Sequence, residues 1–143
     1  MDTGDDGSLH LCKKHGKKRA EGDSRGGVDA QMNVLSLFDG ISCGQVALQR
    51  AGITVDKYYA AEVDPHAIKV TQKNHPETLQ LGDVEWWRDW DIDWSSIDLL
   101  LGGSPCQGFS SAGMRLNFDD PRSRLFFVYA DIFRHMQSVN PAI

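Results

Sequence analysis

The sequence predicts an α/β domain built on an open, mostly parallel sheet. Three observations predict it. Short apolar, β-branched runs alternate with stretches of helical period, an order that builds parallel sheets through crossover connections. The first such run, Asn33-Val34-Leu35-Ser36-Leu37-Phe38, leads into a turn holding Gly40 and Gly44 and then a helix. A long segment near the end repeats apolar residues with a helical period and so shows one apolar face.

Each element follows from its own residues. Asn33 to Phe38 is the first strand, and Gln45 to Arg50 the first helix, stopped by Gly52. Lys57 to Val63 reads as the second strand. Asp64 then caps a second helix with Pro65 in its first turn, running to about Asn74 before His75-Pro76. Thr78 to Leu81 is a third, short strand ending at Gly82-Asp83. Residues 84–96 hold all four tryptophans and several aspartates, and they predict an irregular or briefly helical connection. Ile97 to Leu101 is the fourth strand. Arg122 to Asn140 predicts an amphipathic helix, with Leu125, Val128, Tyr129, Ile132, Phe133, Met136 and Val139 facing the sheet and Pro141 ending it. Pro141-Ala142-Ile143 looks like the entry to a fifth strand. The expectation is therefore a sheet of about four strands that is part of a larger domain.

Residues 1–32 carry six basic and six acidic side chains, with much glycine and no hydrophobic period. They predict a disordered polar tail, because they cannot bury enough apolar surface to offset ordering. Its basic cluster, Lys13 to Arg19, reads as solvated. Cys12 and His15 lack a second ligand pair, so no metal site is expected. Three cysteines, Cys12, Cys43 and Cys106, at unrelated spacings argue against a disulfide framework and for an intracellular setting. No apolar run approaches membrane-spanning length. The ordered part, residues 33–143, carries most of the acidic excess behind the net charge of −5. A domain that grips nucleic acid unaided usually shows a basic surface.

Two loops carry the chemistry. Gly102-Gly103-Ser104-Pro105-Cys106 puts a thiol on a stiff loop at the end of a strand, where open α/β sheets bind ligands. Asp39-Gly40-Ile41-Ser42-Cys43-Gly44 is a glycine turn before a helix, a place suited to a nucleotide-like ligand. Its spacing is not that of dinucleotide folds, and Asp39 would repel a pyrophosphate. Glu62 ends the second strand, where an acid can bind both ribose hydroxyls, and Asp83 follows the third, where it could accept from an adenine amino group. Three acids at successive strand ends describe a pocket for a positively charged adenosine, such as S-adenosylmethionine. A rival motif is present, since Gly40-Ile41-Ser42-Cys43-Gly44 fits the Gly-x-Ser-x-Gly elbow of α/β-hydrolases with Ser42 as nucleophile. Only a polar tail precedes it, where hydrolases place several strands.

The succession of Phe38-Asp39-Gly40 and Gly44, Glu62, Gly82-Asp83-Val84, Gly103-Ser104-Pro105-Cys106-Gln107-Gly108-Phe109-Ser110 and Arg122-x-x-Leu125-Phe126-Phe127 resembles the DNA (cytosine-5) methyltransferases. The resemblance spans residues 33–143 and implies a Rossmann-like methyltransferase sheet, S-adenosylmethionine as cofactor and DNA as partner. It implies that Phe38 packs on the adenine and that the backbone through Asp39, Gly40, Ile41, Ser42 and Gly44 lines the methionine part. Glu62 takes the ribose, Val63 lies beside the adenine, and Asp83 and Val84 read its edge. Pro105 and Cys106 lie under the target base, with the Cys106 thiolate adding to cytosine C6 so that C5 can accept the methyl group. The base must leave the duplex to reach such a pocket.

The family's Glu-Asn-Val, its later arginine segment and its base-reading region do not occur in this sequence, and Val128 stands where an acid is often found. The expectation is the cofactor-side part of such an enzyme, inactive alone. The other reading is a non-catalytic remnant that binds cofactor or a partner chain.

Overall fold

The computed structural model describes residues 31–104, 121–141 and 143, the side chains of 121–123 excepted. The tail through residue 30, with Cys12 and His15, lies outside the described residues, as do Pro105 and Cys106.

Four strands form one parallel sheet: β1 (Met32–Leu37), β2 (Val55–Ala61), β3 (Leu79–Gln80) and β4 (Leu99–Gly102). Their order is β3-β2-β1-β4. The chain thus walks outward from β1 to β3 and then returns to the other side of β1. Such a reversal opens a crevice at the strands' carboxyl ends, where α/β sheets bind ligands.

The helices are α1 (Cys43–Ala51), α2 (Pro65–Asn74) and α3 (Pro121–Val139). Gly52 caps α1 with φ 75°. Asp64 caps α2 by accepting the His66 amide at 2.9 Å, with Pro65 in the first turn. Both ends agree with the sequence expectation. The tryptophan-rich stretch forms two short 3-10 helices, Val84–Asp89 and Trp94–Ser96.

Alternation along the strands divides the core in two. Leu35, Leu37, Tyr59 and Ala61 point to one face with Ile97, Ile132 and Met136, under α3 and the 3-10 helices. Val34, Tyr58 and Ala60 point to the other with Leu48 of α1. Trp87, Trp94 and His135 close the rim of the first layer, the His135 ring centred 5.2 Å from Trp87 and 5.0 Å from Trp94.

Several boundaries differ from expectation. β1 starts at Met32 and ends before Phe38, whose φ of 56° turns the chain out of the sheet. β2 lies two residues earlier than expected, because Val55 pairs with Met32, with Asp56 left over at a register shift, while Glu62 and Val63 leave the strand. Ile97 is wholly buried but follows a 3-10 helix rather than starting β4. On α3, Leu125, Val128, Tyr129, Ile132 and Met136 face the core, whereas Phe133 and Val139 fall beside that stripe and stay exposed. Ile143 packs on the core and donates its amide to Asn140 O at 3.2 Å, so the described residues hold no fifth strand.

Candidate functional site

The site is built at the carboxyl ends of β1, β2 and β3. As β1 ends, Phe38 takes a positive φ and so does Ser42, at 62°. Non-glycine residues adopt this region only where their surroundings enforce it. The enforcing contacts are visible. The Asp39 amide donates to Ala61 O at 3.2 Å, and the Ser42 amide to Asp39 O at 3.1 Å. The Gly40 amide donates to Glu62 Oε2 at 2.7 Å, which ties the turn to the end of β2. Gly40 has φ 59° and open space where a Cβ would stand.

Glu62 is half-buried. Its Oε2 accepts from Gly40, and its Oε1 accepts from the Val63 and Asp64 amides at 2.8 and 2.9 Å. Three backbone donors fix the carboxylate's orientation, and an ionised carboxylate has about four acceptor sites. One acceptor site is therefore left over by these amides, and Glu62 also lines a cleft. That cleft, of about 220 Å³, is lined by Phe38, Ala61, Glu62, Val63, Gly82, Val84 and Leu125. It is apolar walls around one fixed carboxylate. Whole drug-sized ligands occupy roughly 300–1,000 Å³, so this cleft suits one ring system and its attached polar group. Asp83 stands at its lip, where Oδ1 accepts from the Glu85 amide at 2.9 Å and caps the 3-10 helix Val84–Asp89. Next to it is a second cleft of about 320 Å³, lined by Glu85, Trp86, Arg124 and Val128, with Arg124 paired to Glu85. A larger cavity of about 400 Å³, between Gln45, Gln49, Ile53, Val55, Asn74, His75 and Glu77, opens at the start of β2. It lies at the wrong end of the strands for the crevice rule.

The structure brings together Phe38, Glu62, Val63 and Val84 at one cleft, with Asp83 beside it. It does not bring in Asp39. That carboxylate accepts from Tyr58 Oη at 2.8 Å through Oδ1 and from Ser42 Oγ through Oδ2, so it faces the turn's interior. The expected three acids around one ligand reduce to two, because the Asp39 charge is engaged within the turn. Ser42 is wholly buried, and its Oγ also accepts from Thr71 Oγ1 at 3.3 Å and Gln45 Nε2 at 3.3 Å. A hydroxyl so enclosed, with no histidine among its partners, is not a hydrolytic nucleophile. Ile41 is exposed. Gly44 serves helix packing, since a Cβ there would stand 2.7 Å from Tyr58 Oη and 2.9 Å from Leu101 Cδ1.

Sequence reasoning missed Tyr58, Thr71, Gln45 and Leu125. Thr71 Oγ1 also reaches Gly40 O at 3.4 Å, and Gln45 Nε2 donates to Thr78 Oγ1 at 2.7 Å. The one available signal was a tyrosine, Tyr58, in the apolar half of its strand, on the face that packs with Leu48 of α1. Burial, together with the neighbouring Asp39 carboxylate, pushes the Tyr58 hydroxyl pKa well above the tyrosine range, so it stays a donor. Among the described residues no helix is long and apolar enough to cross a membrane.

Comparison with known proteins adds a family. The model of C-5 cytosine-specific DNA methylase matches residues 32–142. The chain is 40% identical over 113 residues to the orphan methyltransferase M.Rho11sI of Bacillus phage rho11s, a match covering 76% of this chain and 22% of that protein. It is 39% identical over 115 residues to the type II methyltransferase M.Eco47II of Escherichia coli, covering 77% of this chain and 25% of that one. The chain thus spans about a quarter of the length of these relatives. Among solved structures it is similar to a triple mutant of Spodoptera frugiperda DNMT2, with TM-score 0.52, 25% identity, and coverage of 76% of this chain and 33% of that one.

Proposed function

We infer the function from one premise: the chain belongs to the C-5 cytosine-specific DNA methylase family. We propose that it forms the cofactor-holding part of an enzyme that methylates C5 of cytosine in DNA, with S-adenosylmethionine as the methyl donor. The single observation that carries this is the cleft at the ends of β1 to β3, where an apolar wall meets one oriented carboxylate.

The residues present fit an adenosine. Phe38 and Val63 offer apolar surface to a flat base, and Val84 and Leu125 line the same cleft. Glu62, held by three amides, keeps an acceptor for the ribose hydroxyls. Asp83 at the lip can accept from the adenine amino group through its second oxygen. The bound cofactor would supply an electrophilic methyl group on sulfur. The turn from Asp39 to Gly44 would line the methionine end through its backbone, since Asp39 and Ser42 turn their side chains inward.

Cys106 would act as the nucleophile. Its thiolate adds to cytosine C6, C5 gains the methyl group and loses its proton, and the thiolate leaves. Pro105 would stiffen that loop, and the cytosine would have to swing out of the duplex. DNA recognition would call for a basic surface, which this chain's acidic balance does not supply. The domain would run over residues 33–143 and the tail over 1–32.

Calorimetric titration of the full chain with S-adenosylhomocysteine tests the reading. Saturable 1:1 binding that Glu62→Ala abolishes supports it. The absence of binding by the parent chain, or binding unaffected by Glu62→Ala, refutes it.

A further inference from the structure

We propose that Tyr58 is a positioning residue for the cofactor cleft, acting through Asp39 on the turn that presents Phe38. The proposal rests on the cofactor reading given above and deepens it.

Phe38 and Ser42 bracket the turn, and both hold positive φ. A turn made this way relaxes unless something outside it prevents that. Its own contacts, such as the Ser42 amide to Asp39 O, move with it. Two side-chain ties reach it from the neighbouring strand instead. Glu62 holds the Gly40 amide from the end of β2, and Tyr58 holds Asp39 from within β2. Tyr58 is buried and lies in register beside Val34 of β1. It is thus anchored within the paired, buried part of the sheet. Its hydroxyl donates to Asp39 Oδ1, while Ser42 Oγ donates to Oδ2, so one carboxylate links the sheet to both ends of the turn. The same Oη lies 2.7 Å from where a Gly44 Cβ would stand, so it also sets how closely α1 approaches the sheet. A phenylalanine would keep the ring and lose the hydroxyl, with its bonds to Asp39 and to the Ser36 side chain. The Asp39 carboxylate would then be held by Ser42 Oγ, and the turn's ties to β2 would fall to the Asp39 amide on Ala61 O and to Glu62 on the Gly40 amide, so the Phe38 ring would be held less firmly on the cleft wall.

The test uses the full chain and three variants, Tyr58→Phe, Asp39→Ala and their double, with Ile132→Val as a control that loosens the core elsewhere. Amide hydrogen exchange without cofactor reads the turn, and S-adenosylhomocysteine titration reads the cleft. In Tyr58→Phe, exchange at Gly40 and Ser42 should quicken about tenfold while Leu35 in mid-strand stays protected. Affinity should fall about tenfold, the scale of a lost hydrogen bond to a charged group. The double variant should bind no more weakly than Asp39→Ala, because Tyr58 works through that carboxylate. Ile132→Val should leave affinity unchanged. The proposal is overturned by unchanged exchange at Gly40 and Ser42, by additive losses in the double variant, or by equal weakening in Ile132→Val. If the parent chain binds no ligand, the cofactor reading falls, and the exchange rates alone decide whether Tyr58 holds the turn.

Discussion

Glu62 Oε2 accepts the Gly40 amide at 2.7 Å, so the acid ending β2 fixes the turn ending β1. The residue proposed to grip the ribose also shapes the wall beside it. Removing its charge should therefore harm both.

Glu62→Gln keeps one acceptor oxygen for three backbone amides and places an NH₂ against the others. At least one amide loses its partner. Bonds to a charged group contribute about 1.5–3 kcal/mol, so affinity for S-adenosylhomocysteine should fall about 10- to 100-fold. Calorimetry on the full chain measures it, and a change under twofold would contradict the assigned role.

Gly44→Ala should destabilise the chain by about 1–3 kcal/mol, since overpacking forces neighbours to shift. The new methyl would meet Tyr58 Oη and Leu101 Cδ1. In a Tyr58→Phe background one of those clashes is gone, so the two substitutions should be non-additive by about 0.5 kcal/mol or more. Urea unfolding of the four chains reads the coupling. Gly40→Ala, with open space but φ 59°, should cost only the left-handed penalty of about 1–2 kcal/mol, independent of residue 58.

Tyr58 also predicts an alkaline limb. Burial first, and the Asp39 carboxylate with it, raise its folded pKa above the unfolded value. The unfolded chain begins to release this proton near pH ~10 while the folded chain keeps it. The stability is therefore complete below that pH and declines as the pH climbs toward the folded value. Urea midpoints from neutral to strongly alkaline pH should fall more steeply for the parent than for Tyr58→Phe. Parallel curves would remove Tyr58 from the account.

Cys106→Ser, placed in a protein that carries this chain together with a base-recognising region, should abolish covalent trapping on DNA containing 5-fluorocytosine. Fluorine replaces the C5 proton, so the adduct cannot expel its thiolate. A denaturing gel shows the trapped species. A shifted band surviving in Cys106→Ser would assign the nucleophile to another residue.

Most of the fold was legible because its signals are local. Asp64 and Pro65 announce the start of α2, Gly52 the end of α1, and the stripe from Leu125 to Met136 the buried side of α3. Glu62 could be placed at the strand ends from its position alone, as the acid near the end of the second predicted strand, and it lines the cleft there. The strand ends were harder, since Val55 pairs only because β1 reaches back to Met32, across a register shift that leaves Asp56 unmatched. Asp39 was misplaced for a related reason. Its direction is set by Tyr58, nineteen residues away, and nothing in the turn's own composition reveals that partner. Leu125 reached the cleft wall only through the return of α3 across the sheet.

Phe38 and Ser42 also bear on any attempt to make this protein more heat-tolerant. Both are places where glycine would relax the backbone, and a search for hardier variants would be drawn to them. Replacing Phe38 would strip the aromatic surface from the wall, and replacing Ser42 would cut the hydroxyl that Asp39, Thr71 and Gln45 share. At Phe38, ruggedness and the proposed ligand capture pull in opposite directions, so selection for one alone should erode the other; at Ser42 the relaxed backbone would be offset by the hydrogen bonds lost.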